Sequence, residues 1–186
     1  MMKSERIVSL ILFIIVFAIY AISTSRTITF WDSPEFVASS YNLQASHPPG
    51  SPFYTMLCSF VLQFFSASKA AFISNLISGF FGALTVTFLF KITYFITTKI
   101  QVNKSIFEIT YLPYFTGITS ALTLAFSTSF WVAATETEVY TLSFALMTIM
   151  IYVLLKWEDA SNKNKETKLI LLFAFLLGIA TGVHLI

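Results

Sequence analysis

The chain has 186 residues, of which 56% are hydrophobic and only 11% are charged. A soluble domain carries about 25% charged residues, so this composition excludes a soluble globular protein and predicts a membrane protein. The formal net charge of +2 is too small to indicate a nucleic-acid-binding protein. The single cysteine, Cys58, excludes a disulfide within the chain.

The first apolar run, residues 7–23, follows a short polar start and resembles a signal-peptide core. No small-residue cleavage site followed by a soluble domain appears, so we interpret this run as an uncleaved membrane anchor. Later apolar runs are also long enough to cross a bilayer. The predicted spans are residues 7–23, 71–98, 112–134, 139–155 and 169–186.

The last run, residues 169–186, reaches the end of the sequence without a polar flank. A spanning helix usually has an interfacial anchor beyond its apolar stretch. We therefore expect the sequence to be the N-terminal part of a larger polytopic protein.

The run 51–65 is the ambiguous one, because about 15 apolar residues are too few for an ordinary span. If it spanned the membrane, the lysines of the later loops would lie on the extracytoplasmic side. If it lies in the interface, those lysines and the basic residues of the N-terminus all lie on the cytoplasmic side, as the positive-inside rule requires. We therefore predict a cytoplasmic N-terminus and one long outer loop, residues 24–70, with two surface helices. Only Arg26 and Lys69 are then basic residues of the outer side.

Asp32 and Glu35 follow Trp31 near the start of this outer loop. One interpretation is a helix N-terminus with Asp32 or Ser33 as the N-cap; if Asp32 is the cap, Glu35 occupies the capping-box position. The other is catalysis, because a carboxylate partly desolvated at the membrane surface gains the raised pKa and the basicity of a general base. The local pattern leaves both interpretations open.

The segment His47-Pro48-Pro49-Gly50 is stiff, because two prolines with fixed φ angles precede a permissive glycine. Such a turn could hold His47 against a phosphate or a hydroxyl group. The alternative is a solvent-exposed loop histidine.

A second outer turn, between two predicted spans, carries Glu136 and Glu138. These carboxylates could bind a divalent cation, flank a sugar or acceptor, or form a polar hairpin cap. Two glutamates supply too few ligands for a tight Ca²⁺ or Mg²⁺ site, so a metal-free role is favoured.

Together these residues resemble the first outer loop of GT-C membrane glycosyltransferases. In particular they resemble the protein O-mannosyltransferase-like family that was long catalogued as a domain of unknown function. The matching positions are Asp32, Glu35, Phe36, Gln44, His47, Pro48, Pro49, Gly50, Pro52 and Tyr54, then Asn75, Leu76 and Ser78, then Glu138-Val139-Tyr140 and Gly182-Val183-His184-Leu185. Pro34 departs from the family pattern, in which glycine is expected, and it stiffens the spacing between Asp32 and Glu35.

The resemblance implies an all-α polytopic membrane protein with a GT-C-like transmembrane bundle and interfacial helices in the first outer loop. It implies transfer of a sugar, such as mannose, from a polyprenyl-phosphate donor to an acceptor hydroxyl of a protein or glycan at the extracytoplasmic face. The membrane would be the bacterial inner membrane, or the ER membrane in a eukaryote.

The resemblance also implies roles for individual residues. Asp32 would be the catalytic base, and Glu35 would position the acceptor or tune Asp32. The residues expected to contact the substrates or the departing lipid phosphate are His47, Arg26, Lys69, Glu136, Glu138 and Tyr54.

A non-enzymatic transporter or scaffold is the alternative class. Transporters typically show internal repeats and polar breaks near the membrane midplane. No clear repeat is visible here, and the polar chemistry clusters at one face, which favours the enzyme. An inactive scaffold with a degenerate outer loop stays open.

Overall fold

The computed structural model describes residues 2–103 and 111–183, and within these ranges the chain forms helices and no β-strand. The expectation for His184 falls outside the described residues. The helices are α1 (Met2–Ser23), α2 (Ser33–Asn42), α3 (Pro52–Leu62), α4 (Ala70–Asn103), α5 (Leu112–Ala125), α6 (Thr128–Thr135), α7 (Tyr140–Glu158) and α8 (Lys163–Thr181), with a 3-10 turn at Ala67–Lys69 before α4.

Helices of the described ranges are long and apolar enough to cross a membrane at Ser4–Ser23, Ala67–Ile100 and Tyr140–Glu158. The prediction of an all-α membrane protein is therefore confirmed. The boundaries of the spans and of the outer loop stay predictions.

The apolar run 112–134 is a bent pair of helices, with α5 and α6 meeting at 68°. The chain leaves the helical conformation at Ser127, whose backbone is extended with φ −69° and ψ 137°. Its hydroxyl donates to the carbonyl of Leu124 at 2.9 Å and so satisfies part of the open end of α5. The pair has the length and composition of a broken span or of a re-entrant loop, whereas the apolar pattern alone predicts one continuous span.

The helix α3 is short and begins at Pro52, where a missing backbone N–H costs no helical bond. Its 11 residues extend about 16 Å, roughly half the thickness of a bilayer core. This length supports the interfacial placement that the lysine distribution predicts.

The helix α4 is the centre of the bundle, and α1, α5, α6 and α7 pack around it. Tyr20 of α1 is completely buried in the main core, and its hydroxyl donates to the carbonyl of Ala125 at 2.9 Å. Gly82 lets the helices approach closely, since a Cβ atom there would lie 2.9 Å from the Cβ of Ala134. The main core consists of Leu12, Val16, Tyr20, Ala83, Val86, Phe90, Ala121, Ala125, Phe130 and Ala134.

A second core joins the surface helices to the bundle. Phe36 of α2 and Tyr54 of α3 are buried together with Leu142 of α7 and Val183. We call this end, which carries residues 24–69 and 136–139, the loop end of the bundle. The opposite end carries the start of α1 and the last turns of α4 and α7.

Candidate functional site

The side chain of Asn75, buried near the start of α4, joins the outer loop to the second outer turn. Its amide nitrogen donates to the carbonyl of Ser25 at 3.0 Å and to that of Thr27 at 3.4 Å. Its amide oxygen accepts from the hydroxyl of Thr137 at 2.5 Å. One buried side chain therefore fixes the relative position of the two segments in which the outer acids lie.

Ser78, one helical turn after Asn75, fixes the backbone of Glu138. The backbone N–H of Glu138 donates to the Ser78 hydroxyl at 3.2 Å, and that hydroxyl in turn donates to the Glu138 carbonyl at 3.4 Å. The family motif pointed to Asn75 and Ser78 but assigned them no role. The signal in the sequence for Asn75 and Ser78 was that both are polar residues in an otherwise apolar run.

Glu35 and His47 pair across the loop. The backbone N–H of His47 donates to Oε1 of Glu35 at 2.5 Å, and Nδ1 of the ring lies 3.0 Å from Oε2. The backbone bond and then the ring bond from His47 hold the pKa of the Glu35 carboxyl below its usual range. The structure thus brings together these two predicted site residues, and the pair closes the loop between α2 and the Pro-Pro turn.

The capping interpretation of Asp32 and Glu35 is not realised in the described residues. Asp32 occupies the N-cap position of α2, but its side chain makes no capping hydrogen bond. Glu35 points to His47 and so does not complete a capping box. The carboxylate of Asp32 is therefore left for other partners.

Asp32 and Glu138 line the same small cleft, whose volume is about 20 Å³. It lies between the start of α2, the Pro-Pro turn and the start of α7. Tyr140, which the family motif included without a role, also faces it. The lining residues are Asp32, Phe36, His47, Pro49, Gly50, Ser51, Glu138, Val139 and Tyr140.

The carboxyl of Glu138 has an unusually high pKa. Burial, and then the neighbouring charges of Asp32 and Glu136, raise its pKa to about 7. The carboxyl therefore changes its charge near neutral pH, as a proton-handling group in an active site typically does.

Trp31 lies immediately before Asp32 and is held in an uncommon backbone conformation. Its φ is +60°, in the left-handed region, and 91% of the residue is exposed. For a residue with a bulky side chain this conformation costs roughly 1–2 kcal/mol. Such outliers concentrate at functional sites, and this one directly precedes Asp32 in the chain.

The remaining predicted site residues are not among those that line the cleft. The guanidinium of Arg26 stacks over the ring of Phe72 at 5.5 Å, and Lys69 ends the 3-10 turn before α4. Tyr54 is fully buried, and its ring packs edge-on against that of Phe36 at 5.7 Å. It therefore supports Phe36, which lines the cleft. Glu136 is close enough for its charge to act on Glu138.

Metal ligation was one of the options for Glu136 and Glu138. Across residues 2–103 and 111–183, no group of three or more His, Cys, Asp or Glu side chains is arranged to hold a metal ion. The cleft therefore offers the carboxylates of Asp32 and Glu138, together with a histidine, His47, that is paired with Glu35.

Comparisons with known proteins place the site inside a matched region. The family model described as "Protein O-mannosyl-transferase TMEM260 N-terminal domain" matches residues 32–186. The mouse (Mus musculus) protein named "Protein O-mannosyl-transferase TMEM260" is 26% identical over 172 residues. The alignment covers 92% of this chain and 22% of the mouse protein, so the chain spans a minor part of that relative's length. No solved structure matches the chain.

The matched region begins at Asp32 and contains every residue that lines the cleft. The resemblance of the outer-loop motif to a protein O-mannosyltransferase-like family is thereby confirmed. The chain belongs to the protein O-mannosyl-transferase TMEM260 N-terminal domain family.

Proposed function

We propose that this chain forms the catalytic loop region of a membrane glycosyltransferase of the GT-C type. The enzyme transfers a sugar, mannose by analogy with the relative's name, from a polyprenyl-phosphate donor to a hydroxyl of a protein acceptor. The observation that carries the proposal is the carboxylate of Asp32, which makes no capping bond and faces Glu138 across a cleft.

In this reaction Asp32 acts as the general base. It accepts the proton of the acceptor hydroxyl, and the acceptor oxygen forms a bond to the anomeric carbon of the sugar. The bond between that carbon and the phosphate oxygen breaks, and the electron pair leaves with the lipid phosphate. In the proposed reaction His47, whose Nδ1 is held by Glu35, donates to this phosphate from the other nitrogen of its protonated ring.

A lipid-linked donor suits the outer loop in which most of the cleft lies. Large aromatic side chains of this loop are exposed, as is typical of a protein surface at the membrane interface. A donor that diffuses within the bilayer would reach the cleft from the side. These exposed residues are Phe30, Trp31, Phe60 and Phe64.

The proposal includes a topology, with the loop end on the extracytoplasmic side and the N-terminus in the cytoplasm. Cysteines introduced at Ser46, in the outer loop, and at Asn162, the N-cap of α8, should react with an impermeant thiol reagent from opposite sides of sealed vesicles. The control is the same protein in opened vesicles, where both positions should react. Labelling of both positions from the same side would contradict the interfacial placement of α3.

The base role of Asp32 predicts the effect of Asp32→Asn in the full-length protein. The variant should insert into the membrane normally but transfer sugar about 100- to 10,000-fold more slowly, because it loses the proton acceptor. Glu158→Gln, an exposed acid at the opposite end of the bundle, is the matched control and should keep normal turnover. Wild-type turnover in Asp32→Asn would rule out the catalytic role.

The raised pKa of Glu138 predicts the pH dependence of transfer. Below about pH 7 the carboxyl is neutral, and above it the carboxyl is ionised. The ionised form adds a negative charge beside Asp32 and strengthens it as a proton acceptor, so the rate should rise as the pH passes through about 7.

Two variants separate Glu138 from other titrating groups. Glu138→Gln should remove this step from the pH–rate profile. Glu136→Gln should keep the step but move it to lower pH, because one of the charges that raise the pKa of Glu138 is lost. An unchanged step in Glu138→Gln would assign the titration to another group.

The donor class is tested with purified full-length protein. It should transfer sugar from a polyprenyl-phosphate sugar and not from a soluble nucleotide sugar alone. Addition of a chelator should leave the rate unchanged, whereas loss of activity that a divalent cation restores would give Glu136 and Glu138 a metal-binding role. Efficient transfer from a nucleotide sugar without lipid would overturn the GT-C assignment.

A further inference from the structure

A second cavity lies at the opposite end of the bundle from the Asp32 cleft. It has a volume of about 560 Å³ and is bounded by the start of α1, the second half of α4, the end of α7 and the start of α8. This volume is within the range of small-molecule sites, about 300–1,000 Å³. Lys91 is 16 positions after Asn75 on α4, or about 24 Å along the helix axis, so the two sites are separate.

The lining of this cavity is strongly basic. Its acidic residues are Glu5 and Asp159, and Asp159 is paired with Lys99. The basic residues outnumber the acidic ones by three, and they come from four different helices. They are Arg6, Lys91, Lys99, Lys156 and Lys165.

Aromatic rings hold two of these lysines in place. The ammonium of Lys156 lies 4.4 Å from the ring centre of Phe95 and 5.2 Å from that of Tyr152. The ammonium of Lys91 lies 5.4 Å from Phe88 and 5.6 Å from Tyr152. A cation–π contact positions a cation without neutralising it. Within the described part of the chain neither lysine forms an ion pair, so both charges remain available to an anion.

The outside of α1 next to the cavity is apolar. Ile7, Leu10 and Ile11 follow Arg6 and are at least half exposed, as a lipid-facing helix surface would be. A ligand with a phosphate in the cavity could therefore lay hydrocarbon chains along α1. Basic pockets between transmembrane helices on the cytoplasmic side recognise anionic lipid headgroups in this way.

We propose that this basic cavity binds the phosphate of an anionic phospholipid from the cytoplasmic leaflet. The site is independent of the transfer reaction, because it lies at the opposite end of α4 and uses none of the residues of the Asp32 cleft. It rests on the topology proposed above, in which the N-terminus and with it the cavity end lie on the cytoplasmic side.

The test uses full-length, delipidated protein in a neutral detergent. The thermal unfolding midpoint is followed during titration with short-chain phosphatidylglycerol, short-chain phosphatidylcholine or inorganic phosphate. We expect a saturable rise with phosphatidylglycerol that weakens as salt is added, and a much smaller rise with the other two. An equal rise with inorganic phosphate would show that the ligand is a free phosphate and would overturn the lipid assignment.

The double variant Lys91→Gln/Lys156→Gln should weaken the apparent affinity for phosphatidylglycerol about 10- to 30-fold, at roughly 1 kcal/mol for each charge. Lys163→Gln/Lys168→Gln removes the same charge from exposed positions of α8 outside the cavity and is the matched control. If the glutamine variant fails to fold, Lys91→Arg/Lys156→Arg keeps the charges and should keep the affinity. Equal affinities in the cavity variant and the control would overturn the site.

Discussion

The hydrogen bonds of Asn75 are the constraint on which the arrangement of the loop end depends. An amide buried in an apolar bundle costs free energy unless both its donor and its acceptor are satisfied. Here the donor is used by the carbonyls of Ser25 and Thr27, and the acceptor by the hydroxyl of Thr137. The segments that contain Ser25, Thr27 and Thr137 do not belong to a long helix. The side chain of Asn75 therefore supplies the rigidity that a helix would give them.

Charge is distributed very unevenly along the bundle. At the loop end Glu138 is partly buried beside Asp32, and burial, followed by the negative charge of Asp32, raises the pKa of the Glu138 carboxyl to about 7. At the opposite end the lysines are held by rings, and only Lys99 among those lining the cavity is paired with a carboxylate in the described ranges. The two ends are about 24 Å apart along α4, so each end can be altered with little direct effect on the other.

The sequence predicted the features that depend on local pattern and missed those that depend on distant partners. Apolar run length predicted α1, α4 and α7, but hydropathy cannot detect a short departure from helix such as that at Ser127. The spacing of Asp32 and Glu35 left a capping box open, yet the bond from His47, 12 residues after Glu35, determines where Glu35 points. The family resemblance grouped Arg26 and Lys69 with the site, but neither side chain lines the cleft.

The bond from Tyr20 to the carbonyl of Ala125 has a consequence for synthesis of the protein. These residues are 105 positions apart, so the partner is made roughly ten seconds later, at the usual ~5–20 residues per second. During that interval α4 is completed first and can cover part of the main-core face of α1, but the Tyr20 hydroxyl still lacks its partner. The main core around Tyr20 can therefore close only once α5 has been made, although α1 comes long before α5 in the chain.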